Sequence, residues 1–248
     1  MKVYGHRGAS GYAPENTMAA FQLAAEMGAY GIELDVQLTN DGRLVIFHDD
    51  RLTRTARLAG QPVEGMVCDY TLQELRAMEV GSWMGPQWQG ERIPTMEEVF
   101  GWMQANTLQV NIEIKVPAGG YRRELTEQVL LLAKDCGVED RILISSFYHP
   151  ALADSRQILP QVPTGILYSE ELYHGEAYAD VVGAAALHPY HMAIDDKAVR
   201  LCQAAGKQVN VWTPNREEEI RRCVAMGVDG IITNYPDRAL DLVKEAEQ

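Results

Sequence analysis

The stretch Gly31-Ile32-Glu33-Leu34-Asp35-Val36-Gln37-Leu38-Thr39-Asn40-Asp41-Gly42-Arg43-Leu44-Val45-Ile46-Phe47-His48-Asp49 decides how the rest of the chain is read. Acidic and apolar residues alternate from Glu33 to Val36, so in a strand both carboxylates face one side while Leu34 and Val36 face the other. Asn40-Asp41-Gly42 is a tight-turn signal, and the apolar run 44–47 is therefore expected to return as an extra antiparallel strand. His48 then rides on a hairpin arm beside the two acids. Upstream, Val3-Tyr4-Gly5 ends in the same way at His6-Arg7-Gly8. Chemically active residues at the C-terminal ends of short apolar strands are the arrangement of a parallel barrel, which keeps its active site at that face.

Outward from this stretch, apolar, β-branched runs recur at residues 2–5, 31–36, 110–114, 142–145, 164–167, 184–187, 208–211 and 230–232. These are eight candidate strands. Helical patterns lie between most of them, for example over 17–27 and 127–134, with apolar residues at helical spacing. Gly28, Gly137, Gly206 and Gly227 follow such patterns, where glycine commonly stops a helix. The expectation is an α/β chain folded as a (β/α)₈ TIM barrel, one domain over residues 1–248, with a small insertion after the second barrel strand at about 50–94. That segment carries Tyr70, Trp83 and Trp88, is too long for a simple connection, and is expected to sit above the mouth of the barrel.

With 248 residues and 46% hydrophobic content, the chain suits one large domain with a proper core. A net charge of −13 argues against a nucleic-acid partner. No basic segment followed by an apolar one opens the sequence, and no apolar run is long enough to span a bilayer, so a cytoplasmic protein without membrane insertion is expected. Cys68, Cys136, Cys202 and Cys223 are scattered, which favours reduced, buried thiols over a zinc site or a disulfide scaffold. Oligomeric state has no readable signal.

Glu33 and Asp35 on one face repel unless a cation lies between them. Their hard oxygen atoms suit Mg²⁺ or Ca²⁺, with Mn²⁺ as a third candidate, rather than zinc. Glu113 in Asn111-Ile112-Glu113-Ile114-Lys115 alternates with isoleucines and completes the set, and Lys115 shares its side. Ordinary salt bridges from these acids to Arg7 and Lys115 are the alternative. His6 and His48 are candidates for a general acid/base pair. Arg7 offers a bidentate grip on phosphate oxygens and Lys115 a second positive charge. Asn16 either orients the first loop or caps a helix with Thr17. No serine or cysteine lies in a recognised nucleophile motif, which favours attack by a hydroxyl of the substrate or by water.

The blocks His6-Arg7-Gly8, Pro14-Glu15-Asn16-Thr17, Glu33-Leu34-Asp35-Val36, Asp41-Gly42, His48-Asp49, Leu52-Thr53-Arg54-Thr55, Ile93-Pro94-Thr95, Asn111-Ile112-Glu113-Ile114-Lys115, Ser145-Ser146-Phe147 and Trp212-Thr213 follow one another over most of the chain. Together they resemble the glycerophosphodiester phosphodiesterases of the bacterial, cytoplasmic type. The resemblance implies a small-molecule glycerophosphodiester substrate, a divalent ion on Glu33, Asp35 and Glu113, and catalysis by His6 and His48. It further implies that the free glycerol hydroxyl attacks phosphorus, expels the head-group alcohol and gives a cyclic phosphate that water opens to glycerol 3-phosphate. Trp212 stands where the family usually places an aromatic residue against the substrate, whereas Pro214 departs from the commoner valine. His188, at a late strand end, is a further candidate to line the pocket, and His149, His174 and His191 read as loop or surface residues. Trp83, Phe147 and Trp212 are candidates for an apolar wall. The rival readings are a phosphodiesterase of lysophospholipids, disfavoured by the acidic balance, and a catalytically silent barrel, disfavoured because none of the six key residues is missing.

Overall fold

Alternation at Glu33 does persist through a strand, and the strand is long. The computed structural model describes residues 1–117 and 119–247. After β1 (Lys2–His6) and α1 (Met18–Glu26), β2 (Gly31–Leu38) is buried along its whole length. Ile32, Leu34 and Val36 are fully buried in the apolar core between strands and helices, which leaves Glu33, Asp35 and Gln37 to the other face. Residues 39–43 turn the chain, with the Thr39 N–H donating to the Arg43 carbonyl at 3.0 Å. β3 (Leu44–Ile46) then runs back antiparallel, Val36 opposite Ile46 and Leu38 opposite Leu44.

The segment that follows holds a two-residue ladder, β4 (Arg57–Leu58) against β5 (Gln61–Pro62), and a short helix, α2 (Leu72–Ala77). It has its own apolar cluster, in which Leu52, Val67, Leu75, Met78 and Ile93 pack with Val45 and Phe47 of the hairpin arm.

From there helix and strand alternate. α3 (Met96–Met103) leads to β6 (Gln109–Ile114), α4 (Arg123–Asp135) to β7 (Ile142–Ser146) and α5 (His149–Ile158) to β8 (Thr164–Tyr168). α6 (Gly175–Val182) leads to β9 (Ala186–Pro189), α7 (Asp196–Ala204) to β10 (Gln208–Trp212), α8 (Glu217–Met226) to β11 (Gly230–Thr233), and α9 (Pro236–Ala246) follows. Parallel pairing runs β1, β2, β6, β7, β8, β9, β10, β11, and closes because β1 also pairs with β11, Lys2 beside Gly230 and Gly5 beside Thr233. This is the expected (β/α)₈ barrel.

Gly28, Gly137, Gly206 and Gly227 all take the left-handed conformation at helix ends. α4 begins four residues before the pattern read over 127–134. Cys202 and Cys223 are buried, but Cys68 and Cys136 are only half-buried, and all four are unpaired. No helix among the described residues is long and apolar enough to cross a membrane.

Candidate active site

At the end of β1 the chain turns sharply. Arg7 takes φ 54° and Gly8 φ 80°, and the Gly8 N–H returns to the Gly5 carbonyl at 3.1 Å. Gly8 is required twice over. Its positive φ disfavours a side chain, and a Cβ there would lie 2.5 Å from the backbone of Ala20 on α1. The left-handed Arg7 is uncommon for a non-glycine residue. It aims its own N–H at Glu33 Oε2, 3.0 Å away, and its guanidinium at Glu15 Oε1, 2.9 Å, and Asp35 Oδ2, 3.4 Å.

β2 and β6 are in register so that Asp35 lies beside Glu113 and Glu33 beside Asn111. One oxygen each from Glu33, Asp35 and Glu113 therefore lie within 4.8 Å of one another, and all three residues are at most 8% exposed. Lys115 Nζ donates to Glu113 Oε1 at 2.8 Å and stands 3.6 Å from Asp35 Oδ1. Thr17 caps α1, its Oγ1 accepting from the Ala20 N–H at 3.2 Å. That frees Asn16 to donate from Nδ2 to Asp35 Oδ2 at 2.8 Å, which makes it the orienting residue of the first loop.

The acids are not equivalent. Burial works against ionisation of Asp35, but Arg7 and then Lys115 outweigh it and hold its carboxyl down at about 2. Burial, followed by repulsion from Asp35 and Glu113, pushes Glu33 well above the usual carboxylate range, and burial and Asp35 raise Glu113. With every carboxylate ionised, Glu15, Glu33, Asp35, Asp49 and Glu113 would outnumber Arg7, Arg54 and Lys115 by two charges. Asp35 Oδ1 is buried with no hydrogen-bond partner among the described residues. An excess of two negative charges, an orphaned carboxylate oxygen and an all-oxygen donor set fit a hard divalent cation. The salt bridges to Arg7 and Lys115 are present, but they do not balance the cluster.

His6 and His48 flank these acids with one ring nitrogen each already committed. His6 Nδ1 is 2.7 Å from Asn234 Oδ1 on the loop after β11, an oxygen that only accepts, so Nδ1 carries the proton and Nε2 is left free, 3.9 Å from Glu33 Oε2. Burial and the neighbouring Arg7 lower the His6 imidazole to about 4. His48 Nδ1 donates to Asp49 Oδ1 at 2.6 Å. Asp49 is kept far below the ordinary carboxylate range, first by that hydrogen bond and, against partial desolvation, by Arg54, whose Nε reaches Oδ2 at 2.5 Å. From β2, Gln37 Nε2 donates to the carbonyls of Phe47 and Asp49 at 2.8 and 2.9 Å and pins the His48 turn.

These groups share one pocket of about 60 Å³. His6, Arg7, Glu33, His48 and Glu113 form one side, and Phe147, Leu167, Trp212 and Ile232 form an apolar side. Phe147 and Trp212 meet edge to face, ring centroids 5.5 Å apart. A larger cleft of about 610 Å³, lined by Met1, Tyr30, Gln208 and Asp229 among others, lies at the opposite end of the strands and gathers none of these groups.

Some expected residues fall elsewhere. His188 does not line the pocket. It is 1% exposed inside the barrel, its Nε2 3.0 Å from Asn210 Nδ2, and burial lowers it to about 3. Its backbone carbonyl instead accepts the Trp212 indole N–H at 2.8 Å. Lys115 touches the acids but is not part of the pocket wall. Trp83 also lies off the wall, its indole donating to the Val80 carbonyl at 2.8 Å. His191 is a loop residue, in the turn after β9, as expected, but it is buried, and its N–H donates to the Trp212 carbonyl at 2.7 Å. Gln37 and Asn234 were not singled out from sequence, and Asp49 and Arg54 entered only as members of the blocks His48-Asp49 and Leu52-Thr53-Arg54-Thr55, with no role. Gln37 is the next inward residue after Glu33 and Asp35 and follows from the same alternation; Asn234 carries no such signal.

The model of the glycerophosphoryl diester phosphodiesterase family matches residues 6–238. A glycerophosphodiester phosphodiesterase of Caldanaerobacter subterraneus subsp. tengcongensis is 40% identical over 243 residues, 98% of each chain, and one of Bacillus altitudinis is 35% identical over 247 residues, again 98% of each. Among solved structures, an Oleispira antarctica phosphodiesterase in complex with the product sn-glycerol-3-phosphate is 31% identical, with a TM-score of 0.91 over 98% of this chain and 97% of that one. A putative glycerophosphoryl diester phosphodiesterase from Silicibacter pomeroyi is 27% identical, with a TM-score of 0.93 over 100% and 94% of the two chains.

Proposed function

Since the chain belongs to the glycerophosphoryl diester phosphodiesterase family and has that family's phosphodiesterase activity, we propose that it cleaves glycerophosphodiesters to glycerol 3-phosphate and an alcohol by histidine acid/base catalysis that depends on a divalent ion. The observation that carries this reading is a cluster of three buried carboxylates, two of which, Glu33 and Glu113, line one pocket together with two histidines that each have Nδ1 committed and Nε2 free.

Glu33, Asp35 and Glu113 would hold the ion, Mg²⁺, Ca²⁺ or Mn²⁺, which when bound supplies charge neutralisation to the phosphodiester. Arg7 adds positive charge beside the same group. The hydroxyl adjacent to the phosphoester attacks phosphorus while its proton passes to a histidine. His6 suits that role, since its Nδ1 partner is a neutral amide oxygen and Arg7 beside it favours the uncharged ring. His48 suits the complementary one. The Asp49 carboxylate facing its Nδ1 complements a positive ring, so His48 Nε2 delivers a proton to the departing alkoxide. Water then opens the cyclic phosphate with the two roles exchanged.

On this reading residues 1–248 act as one functional unit, with Arg54 of the 50–94 segment tied to Asp49 and Glu15. The unpaired cysteines are in keeping with a reducing compartment such as the cytoplasm. The test is release of glycerol 3-phosphate from a panel of glycerophosphodiesters, with chelator and with each of the three ions restored. Release that is indifferent to chelation counts against the metal; release of a lysophosphatidate from lysophospholipids with none from glycerophosphodiesters counts against the substrate.

A further inference from the structure

Two polar side chains that line the pocket take no part in the mechanism above. Asn111 is 3% and Ser145 0% exposed, and both line the pocket. Asn111 Oδ1, Asn111 Nδ2 and Ser145 Oγ have no hydrogen-bond partner among the described residues. Buried polar groups are nearly always paired, and leaving one unpaired is costly. Two neighbouring residues that carry three such atoms into one cavity mark the place of a ligand's own hydrogen-bonding group.

Register fixes where that place is. Asn111 lies beside Glu33 across the β2–β6 pair and Ser145 beside Glu113 across the β6–β7 pair. Both therefore adjoin the acidic side, while the facing wall of Leu167 and Ile232 offers only apolar contact. An amide and a hydroxyl each present a donor and an acceptor, which matches a group that also does both, an alcohol.

We propose, on the substrate reading given above, that Asn111 and Ser145 seat the terminal hydroxyl of the substrate's glycerol half. The head group then points outward past Phe147, which is 47% exposed.

The experiment compares glycerophosphoethanolamine with its 2-hydroxyethyl analogue, which keeps the attacking hydroxyl but lacks the terminal hydroxymethyl group. Wild-type enzyme is expected to favour the glycerol diester in kcat/KM by about 10- to 100-fold, the range set by an unmatched buried hydrogen-bonding group. Ser145→Ala and Asn111→Ala should each lower that ratio about tenfold, mainly through loss on the glycerol diester. Ser145→Ala should do so with an unchanged or raised Tm, because the deleted hydroxyl has no protein partner to lose; that combination is not expected of a merely structural serine. It also keeps the test open should Asn111→Ala fold poorly. A wild-type ratio near one, or a ratio that survives both substitutions, overturns the proposal while leaving the phosphodiesterase reading intact. Failure of wild-type enzyme to release glycerol 3-phosphate from any glycerophosphodiester overturns that reading, and this proposal with it.

Discussion

Arg54 grips Glu15 through two parallel hydrogen bonds, Nη1 to Oε2 at 2.7 Å and Nη2 to Oε1 at 2.6 Å, across 39 residues of chain. Glu15 also receives Arg7, and Arg54 also reaches Asp49, so one relay of charges runs from Arg7 in the pocket wall to the partner of His48. A planar fork on a carboxylate fixes orientation as well as distance, which lysine cannot reproduce.

Arg54→Lys is therefore expected to behave almost like Arg54→Ala. Both should lower kcat about tenfold through misplacement of His48, with KM little changed. Because the Arg54 side chain is 44% exposed, the loss of stability should stay below about 1 kcal/mol. Steady-state kinetics together with thermal melts decide the matter. Full activity of Arg54→Lys would show that the fork orients nothing.

Asp49→Asn should be more harmful than its exposure suggests. An amide in place of the carboxylate no longer complements a positive ring and can present a donor to Nδ1, which turns the wrong tautomer toward the substrate. Loss in kcat of about 10²-fold or more is expected. His48→Ala should cost about 10² to 10⁴-fold on natural diesters but far less on a nitrophenyl ester of glycerol phosphate, whose leaving group needs no proton. His6→Ala should lose on both. Equal losses of His48→Ala on the two substrates would remove His48 as first-step acid.

Glu33 makes a prediction in the chelated enzyme. Its carboxyl is raised well above the ordinary 4.5 by burial and by Asp35 and Glu113. A group raised in the folded state contributes stability that is complete below its unfolded value and is lost as pH climbs through the folded one. Chelated wild type should therefore lose stability from about pH 4.5 upward, by as much as about 1.4 kcal/mol per unit from this group, and Glu33→Gln should flatten that slope while abolishing turnover. Added Mg²⁺, Ca²⁺ or Mn²⁺ should raise the Tm of wild type and have little effect on the variant. A metal response that is identical in the two proteins would detach Glu33 from the ion.

At acid pH the sign reverses for a different residue. His188 is held near 3 by burial, below its unfolded value of about 6.5. Its neutral form supports the fold above pH 6.5, and that support is lost as pH falls toward 3, at up to about 1.4 kcal/mol per unit. His188→Asn should start less stable at neutral pH, because the smaller side chain leaves a void, yet show a shallower loss on acidification. Denaturant melts at several pH values measure the slope. Equal slopes would mean that the ring is protonated in the folded protein.

The barrel was legible because both of its periods are written in short range: alternation within strands such as 31–38, and glycine at the helix ends. The acid triplet was legible for the same reason, since Glu33, Asp35 and Glu113 sit on inward positions of strands that become neighbours. What alternation cannot give is depth. Inward residues of a barrel occupy successive layers, and whether His188 reaches the mouth or the layer beneath depends on the stagger between strands, a long-range property. His191 lies in a loop, as its sequence suggests, and only its burial was illegible, because that depends on Trp212 and α8 closing over it. The couplings of Gln37 to the His48 turn and of Arg54 to Glu15 depend on how the hairpin arm folds back, which no local pattern records.

The hairpin arm serves two masters. Leu44 and Ile46 of β3 pack into the main core, whereas Val45 and Phe47 belong to the separate cluster of the 50–94 segment. His48 thus stands on the seam between two apolar clusters of unequal size, and the smaller one, with fewer buried side chains to hold it, is expected to open first. Heat or mild denaturant should silence the enzyme while the barrel's amide protons still resist exchange. The working life of this catalyst would then be set by the resilience of its smallest cluster, whatever the sturdiness of the eight strands beneath.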